Sequence, residues 1–191
     1  MNRKRKLLVS LLVLGALGSV VGFGAFSAFT ATTTNSGNTL SSGTVIIGQH
    51  AGATTLYTGT NKKPSDTTIG CVRISYTGSL TADVKLYVSS VSNGTVYNLK
   101  VERGSGLSSP DNTMNCTGFA SSSTAYDGQI GSVPTTYAGG LDGKAAAATW
   151  ATNDSVDYRF TITVIDDSTP NAHITTTTTG AHTFTWEARN T

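Results

Sequence analysis

The residues of this chain whose types could support chemistry are few and widely spaced. Cys71 and Cys116 are the only cysteines, without a Cys-x-x-Cys pair and without a histidine beside either. Outside the cell, two such cysteines predict a disulfide rather than a metal or redox centre. Closing a loop of about 45 residues removes unfolded-chain entropy worth roughly 4 kcal/mol in the chain-entropy model. The three histidines, His50, His173 and His182, stand on or beside strand-like segments, and no His-Glu-x-x-His helix contains them. Catalytic zinc needs three protein ligands, an open position and a general base, which this spacing does not offer. Asp166 and Asp167 end a strand-like segment without a regular calcium-binding loop, so they read as turn-forming residues. Serine and threonine are too abundant to single out a nucleophile, and there is no Gly-x-Ser-x-Gly elbow. The sequence therefore predicts no catalytic residue, no metal site and no cofactor, and the expected protein is not an enzyme. Tyr87, Tyr97, Tyr137 and Trp150 are the aromatic residues that an adhesive or carbohydrate-binding surface would use.

Strands must position all of these. Val72, Ile74 and Tyr76 alternate with Arg73, Ser75 and Thr77, and Ala82, Val84, Leu86 and Val88 repeat the pattern after a Gly78-Ser79 turn. Such a period of two marks half-buried strands. Val45 to Ile47 forms a compact apolar strand bounded by glycines. Asn93-Gly94 precedes Tyr97, Leu99 and Val101, and this dipeptide predicts a hairpin. Val156, Tyr158, Phe160, Ile162 and Val164 form the strongest core strand, and His182, Phe184, Trp186 and Ala188 a closing one. Between Gly104 and Gly143 the pattern weakens. A structureless stretch of this length is improbable in one domain, so short strands are expected near 127–133 and 145–151, or a helical turn over Ala145 to Ala148. Seven to nine short strands predict an all-β antiparallel sandwich.

Arg3, Lys4, Arg5 and Lys6 precede an apolar run from Leu7 to Val21 and the small residues around Ala28. This is the order of an export signal. Cleavage between Ala28 and Phe29 would leave 163 residues carrying nine basic and eleven acidic side chains. That balance argues against a nucleic-acid partner. The expected organisation is a signal helix over 1–28, a flexible Thr-rich arm over 29–42 and one β-sandwich over 43–191, with no stable membrane span after processing.

Several segments resemble one family. Gly22-Phe23-Gly24-Ala25-Phe26-Ser27-Ala28-Phe29 is similar to the leader cut by the dedicated signal peptidase SipW, with an aromatic residue near the cleavage point. Asn38-Thr39-Leu40-Ser41-Ser42-Gly43-Thr44-Val45, Lys63-Pro64-Ser65-Asp66, Gly78-Ser79-Leu80 and Phe184-Thr185-Trp186-Glu187-Ala188 are similar to motifs of the exported bacterial family that includes TasA and camelysin. Ser65 departs from the family's Lys-Pro-Gly-Asp turn, and residues 104–145 match little. The resemblance implies a jelly-roll domain, secreted or at the cell surface, acting as a matrix or biofilm fibre subunit. It implies that the arm, from Phe29 to Thr39 with Phe29 and Leu40 as apolar anchors, completes the sheet of another copy or of a related exported subunit. A signal peptidase is the implied partner during export. The alternatives are a secreted adhesive or carbohydrate-binding module and, from the camelysin side of the family, a metalloendopeptidase.

Overall fold

The computed structural model describes residues 42–50, 55–60, 62–92, 94–110, 113–165 and 181–191. The expected signal helix, the Ala28/Phe29 junction, the arm with Leu40, the Asp166-Asp167 pair and His173 lie outside them. Ser42–Thr191 forms one compact unit.

Eight strands are present among the described residues: β1 (Ile47–Gln49), β2 (Thr67–Tyr76), β3 (Ala82–Val91), β4 (Tyr97–Ser105), β5 (Ala120–Gln129), β6 (Leu141–Asp142), β7 (Ser155–Val164) and β8 (His182–Asn190). All pairings are antiparallel, and they build a five-stranded sheet in the order β1-β2-β7-β4-β5 and a three-stranded sheet in the order β6-β3-β8. The all-β, two-sheet reading of the sequence holds.

Period-two alternation decides which side chains meet between the sheets. β7 lies at the centre of the larger sheet, and its Tyr158, Phe160, Ile162 and Val164 are buried together with Val72, Ile74 and Tyr76 of β2 and Leu99 and Val101 of β4. Val84, Leu86 and Val88 of β3 supply the buried row of the smaller sheet. Trp150 closes one end of this core, fully buried, with its backbone bridged to Ala82. Full burial of each large apolar side chain contributes about 1.5–3 kcal/mol, so this row dominates the stability of the fold.

Local expectations failed where they assumed that neighbours in sequence pair. β3 and β4 lie in different sheets, so Asn93-Gly94 does not make a hairpin. Gly94 is needed for a different reason. Its carbonyl accepts the Gly131 N–H at 3.0 Å, and a Cβ on Gly94 would lie 2.6 Å from the Gly131 Cα. The first strand begins at Ile47 rather than Val45. The strand expected near 127–133 is β5, ten residues long and beginning at Ala120, and a single 3-10 turn follows it at Ile130–Ser132. Its Ser-rich sequence hides it, because its inward positions carry small or hydroxyl side chains. Ala145–Ala147, where the sequence offered a helical turn as an alternative, forms a short 3-10 turn with Ala146 and Ala147 in the left-handed region at φ +58° and +52°.

Lys63-Pro64-Ser65-Asp66 forms a turn whose third position favours glycine. Asp66 N–H donates to the Lys63 carbonyl at 3.0 Å, the Asp66 carboxylate accepts the Lys63 N–H at 3.1 Å, and Ser65 has φ +71°. A side chain in this left-handed region costs roughly 1 kcal/mol. Ser65→Gly is therefore expected to stabilise the protein by up to about 1 kcal/mol in denaturant unfolding. Gly94→Ala should destabilise it by about 1–3 kcal/mol through overpacking against Gly131. Gly139→Ala, whose Cβ would meet its nearest neighbour at 3.5 Å, serves as the neutral control.

Candidate functional site

The predicted disulfide is present. Cys71 and Cys116 are bonded, with their Cα atoms 5.4 Å apart. Cys71 points away from the core, on the outer face of β2, and the chain between β4 and β5 folds back over that face to reach it. Gly106 and Gly118, at φ +89° and +82°, sit at the neck of this excursion, where a Cβ on either would collide with the other's carbonyl. Ser108 N–H donates to the Thr117 carbonyl at 3.0 Å. The two glycines are the sequence signal for this fold-back, hidden because their partners lie across the excursion.

Beneath it lies a charged network. Arg73 donates from Nε to Asp157 Oδ1 at 2.6 Å and from its terminal nitrogen to Oδ2 at 2.9 Å, and Asp157 also accepts the Leu107 N–H at 2.8 Å. Arg159 reaches Glu102 at 2.8 and 2.7 Å and lies 4.8 Å over the Phe119 ring. Burial raises the Glu102 carboxyl, but hydrogen bonds and charge from Arg159, with Ser121 and Lys100, hold it below the ordinary range. These contacts fasten the excursion, and arginines engage both the Asp157 and the Glu102 carboxylates.

The two described histidines lie apart. His50 is exposed at the end of β1, 3.1 Å from the Ser75 hydroxyl. His182, on β8, packs against the rings of Tyr97 and Tyr57 at 5.5 and 6.4 Å, and burial lowers its pKa. Among the described residues no three His, Cys, Asp or Glu side chains gather as a metal site. The aromatic set is also dispersed. Trp150 belongs to the core, Tyr97 packs against it, Tyr87 donates to Glu187, and the ring of Tyr137 is covered by Arg189 at 3.9 Å. Among the described residues no helix is long and apolar enough to cross a membrane.

What remains is a strand edge. A sheet edge exposes unpaired backbone donors and acceptors that can template another strand, and proteins blunt such edges with bulges, very short strands or covers. The two sheets end differently. At β5 both register shifts place the extra residue on the edge strand, Ala125 and Ser122, and bulges of this kind bend an edge out of line. β6 has two residues and β1 three. β8 has nine, and among the described residues it pairs only with β3. The irregularity in that ladder places the extra residue, Ser89, on β3, so β8 itself is regular.

The inner row of β8 is unfinished. Phe184, Trp186 and Ala188 face the core, where Phe160 lies 4.6 Å from Phe184 and 5.9 Å from Trp186. Yet they stay half-buried, whereas their cross-strand partners Val88, Leu86 and Val84 are buried to 1% exposure or less. A smaller sheet one strand wider would cover this row. β8 therefore offers backbone hydrogen bonds and apolar surface together. Compared with models of known protein families and with curated proteins, the chain matches none.

The charged network makes a prediction about pH. Glu102 is depressed in the folded state, so its contribution is complete above its unfolded pKa and is lost as pH falls through the lower folded value. Unfolding free energy should decline as pH drops below about 4. Glu102→Gln should flatten that decline and reduce stability at pH 7 by about 1–2 kcal/mol, a loss limited by the partial exposure of Arg159. Urea midpoints measured across pH 3–7 check both.

Proposed function

We propose that this protein is a non-catalytic structural subunit of the cell surface or extracellular matrix, exported and then assembled by strand addition at β8. The observation that carries the reading is the regular nine-residue edge of β8 with its half-buried aromatic row. The disulfide fits an oxidising extracellular location. The alternation of β2, β3 and β4 between the sheets, with β7 inserted between β2 and β4, supports a jelly-roll-like assignment of the sandwich.

The donor is the Thr-rich arm of a neighbouring copy. Main-chain hydrogen bonds supply affinity in strand addition, and alternate side chains supply specificity. Successive residues of a strand point to opposite faces, so Phe29 and Leu40, eleven positions apart, cannot both enter the core from one unbroken strand. With Phe29 inward, Ala31, Thr33, Asn35 and Gly37 follow it, and this register alone brings an aromatic ring and a methyl side chain in succession beside Phe184 and Trp186. With Leu40 inward, Asn38, Ser36, Thr34 and Thr32 would follow, a polar row against aromatic rings. Phe29 is therefore the anchor, and the arm enters as residues 29–37.

A chain beginning at Phe29 should assemble in a concentration-dependent manner, and one lacking residues 29–39 should not, as read by sedimentation and electron microscopy. Ala31→Asp should weaken association about 100-fold or more, because an unpaired carboxylate buried at the joint costs at least about 3 kcal/mol, whereas Thr32→Asp, on the outer face, should be tolerated. Undiminished fibres without the arm, or equal effects of the two aspartates, contradict the reading.

A further inference from the structure

We propose that the Cys71–Cys116 bond is a redox latch that decides whether a second strand edge, that of β2, is open. β1 is too short to cover β2. It pairs only with Ile74, Ser75 and Tyr76, and flanking bonds extend the cover from Thr77, whose N–H donates to the Ile46 carbonyl, to Arg73, whose carbonyl accepts the His50 N–H. The next edge-directed donor is the Cys71 N–H, and it is taken at 2.7 Å by the Thr113 carbonyl from the excursion. Thr113 is buried and is itself tied to the far side, its hydroxyl donating to the Thr55 carbonyl at 2.8 Å. The disulfide thus brings in the group that closes the β2 edge, three residues along the chain from Cys116.

The excursion is separable from the core. None of the described residues between 105 and 119 belongs to the buried cluster between the sheets, and the residues holding the excursion act on the outer face of the larger sheet. Leu107 is bound there by Asp157 and by Arg73, whose terminal nitrogen donates to the Leu107 carbonyl at 3.2 Å. Phe119 lies under Arg159. Besides the burial of Leu107, these are polar and cation–π contacts, and the covalent bond holds them in register. Cys71 is fully buried, whereas Cys116 is half-buried and is the sulfur that an external thiolate reaches. A dithiol attacking there breaks the S–S bond by exchange. The dithiol gives two electrons and two protons, the protein gains two thiols, and the reductant leaves as its own disulfide. The flanks 106–110 and 113–119 then leave the sheet, the Cys71 N–H loses its acceptor, and the β2 edge opens beside β1. In the oxidised protein the edge stays closed. The latch is independent of which strand β8 accepts.

Hydrogen exchange on the full chain, with and without a dithiol under native conditions, tests this. After reduction the Cys71 and Leu107 amides should exchange at least about tenfold faster, while the Leu99 and Phe160 amides keep their protection. The double variant Cys71→Ala/Cys116→Ala should behave like the reduced chain, which keeps the test independent of how readily the dithiol enters. Unchanged protection at residue 71 in the double variant would overturn the latch. So would loss of protection at Leu99 and Phe160 together with it, since the excursion would then be part of the core rather than a cover on it.

Discussion

A β-sheet satisfies its backbone only in its interior, and each edge strand leaves a row of N–H and C=O groups that water, a cover or another strand must meet. The two sheets of this protein have four edges, and their treatment accounts for much of the rest of the structure. The bulges in β5, the two-residue length of β6 and the excursion that reaches back to β2 all blunt edges. Among the described edge strands only β8 is long and regular. The contrast lies within one molecule, so the general polarity or size of the domain does not explain it.

The core depends on the same arithmetic. Five strands face three, and β7, inserted between β2 and β4, carries the largest buried rings of the wider sheet. The opposite layer supplies one fully buried row, from β3, and one half-buried row, from β8. Phe184 and Trp186 already touch Phe160, so they are placed as core residues without the cover that core residues normally have. Completing that cover recovers part of the 1.5–3 kcal/mol that burial of each large side chain contributes, besides the hydrogen bonds of the edge.

Period-two alternation made β2, β3, β7 and β8 legible, because each buries one apolar face and the period depends on nothing but strand geometry. β5 was not legible. Ala120, Ser121, Ser122, Ser123 and Thr124 carry no hydrophobic contrast, and bulges break the alternation that remains. Asn93-Gly94 misled for a different reason. A local turn preference was overridden by tertiary pairing, and the glycine serves a close approach to Gly131, distant in sequence. The disulfide was legible from cysteine count alone, but its use in closing an edge depends on Thr113 and on the fold-back at Gly106 and Gly118. Trp150, which by sequence could serve either a binding surface or the core, is a core plug whose backbone pairs with Ala82. The edge itself could not be read, since an edge is defined by which strand is missing beside it.

The most direct measurement of the central claim is amide exchange along β8 in the chain starting at Phe29, compared between dilute monomer and assembled material. Strand addition predicts that protection rises along His182–Asn190 on assembly while the bulged edge of β5 is unchanged. Assembled material in which β8 exchanges as fast as in the monomer would contradict the account.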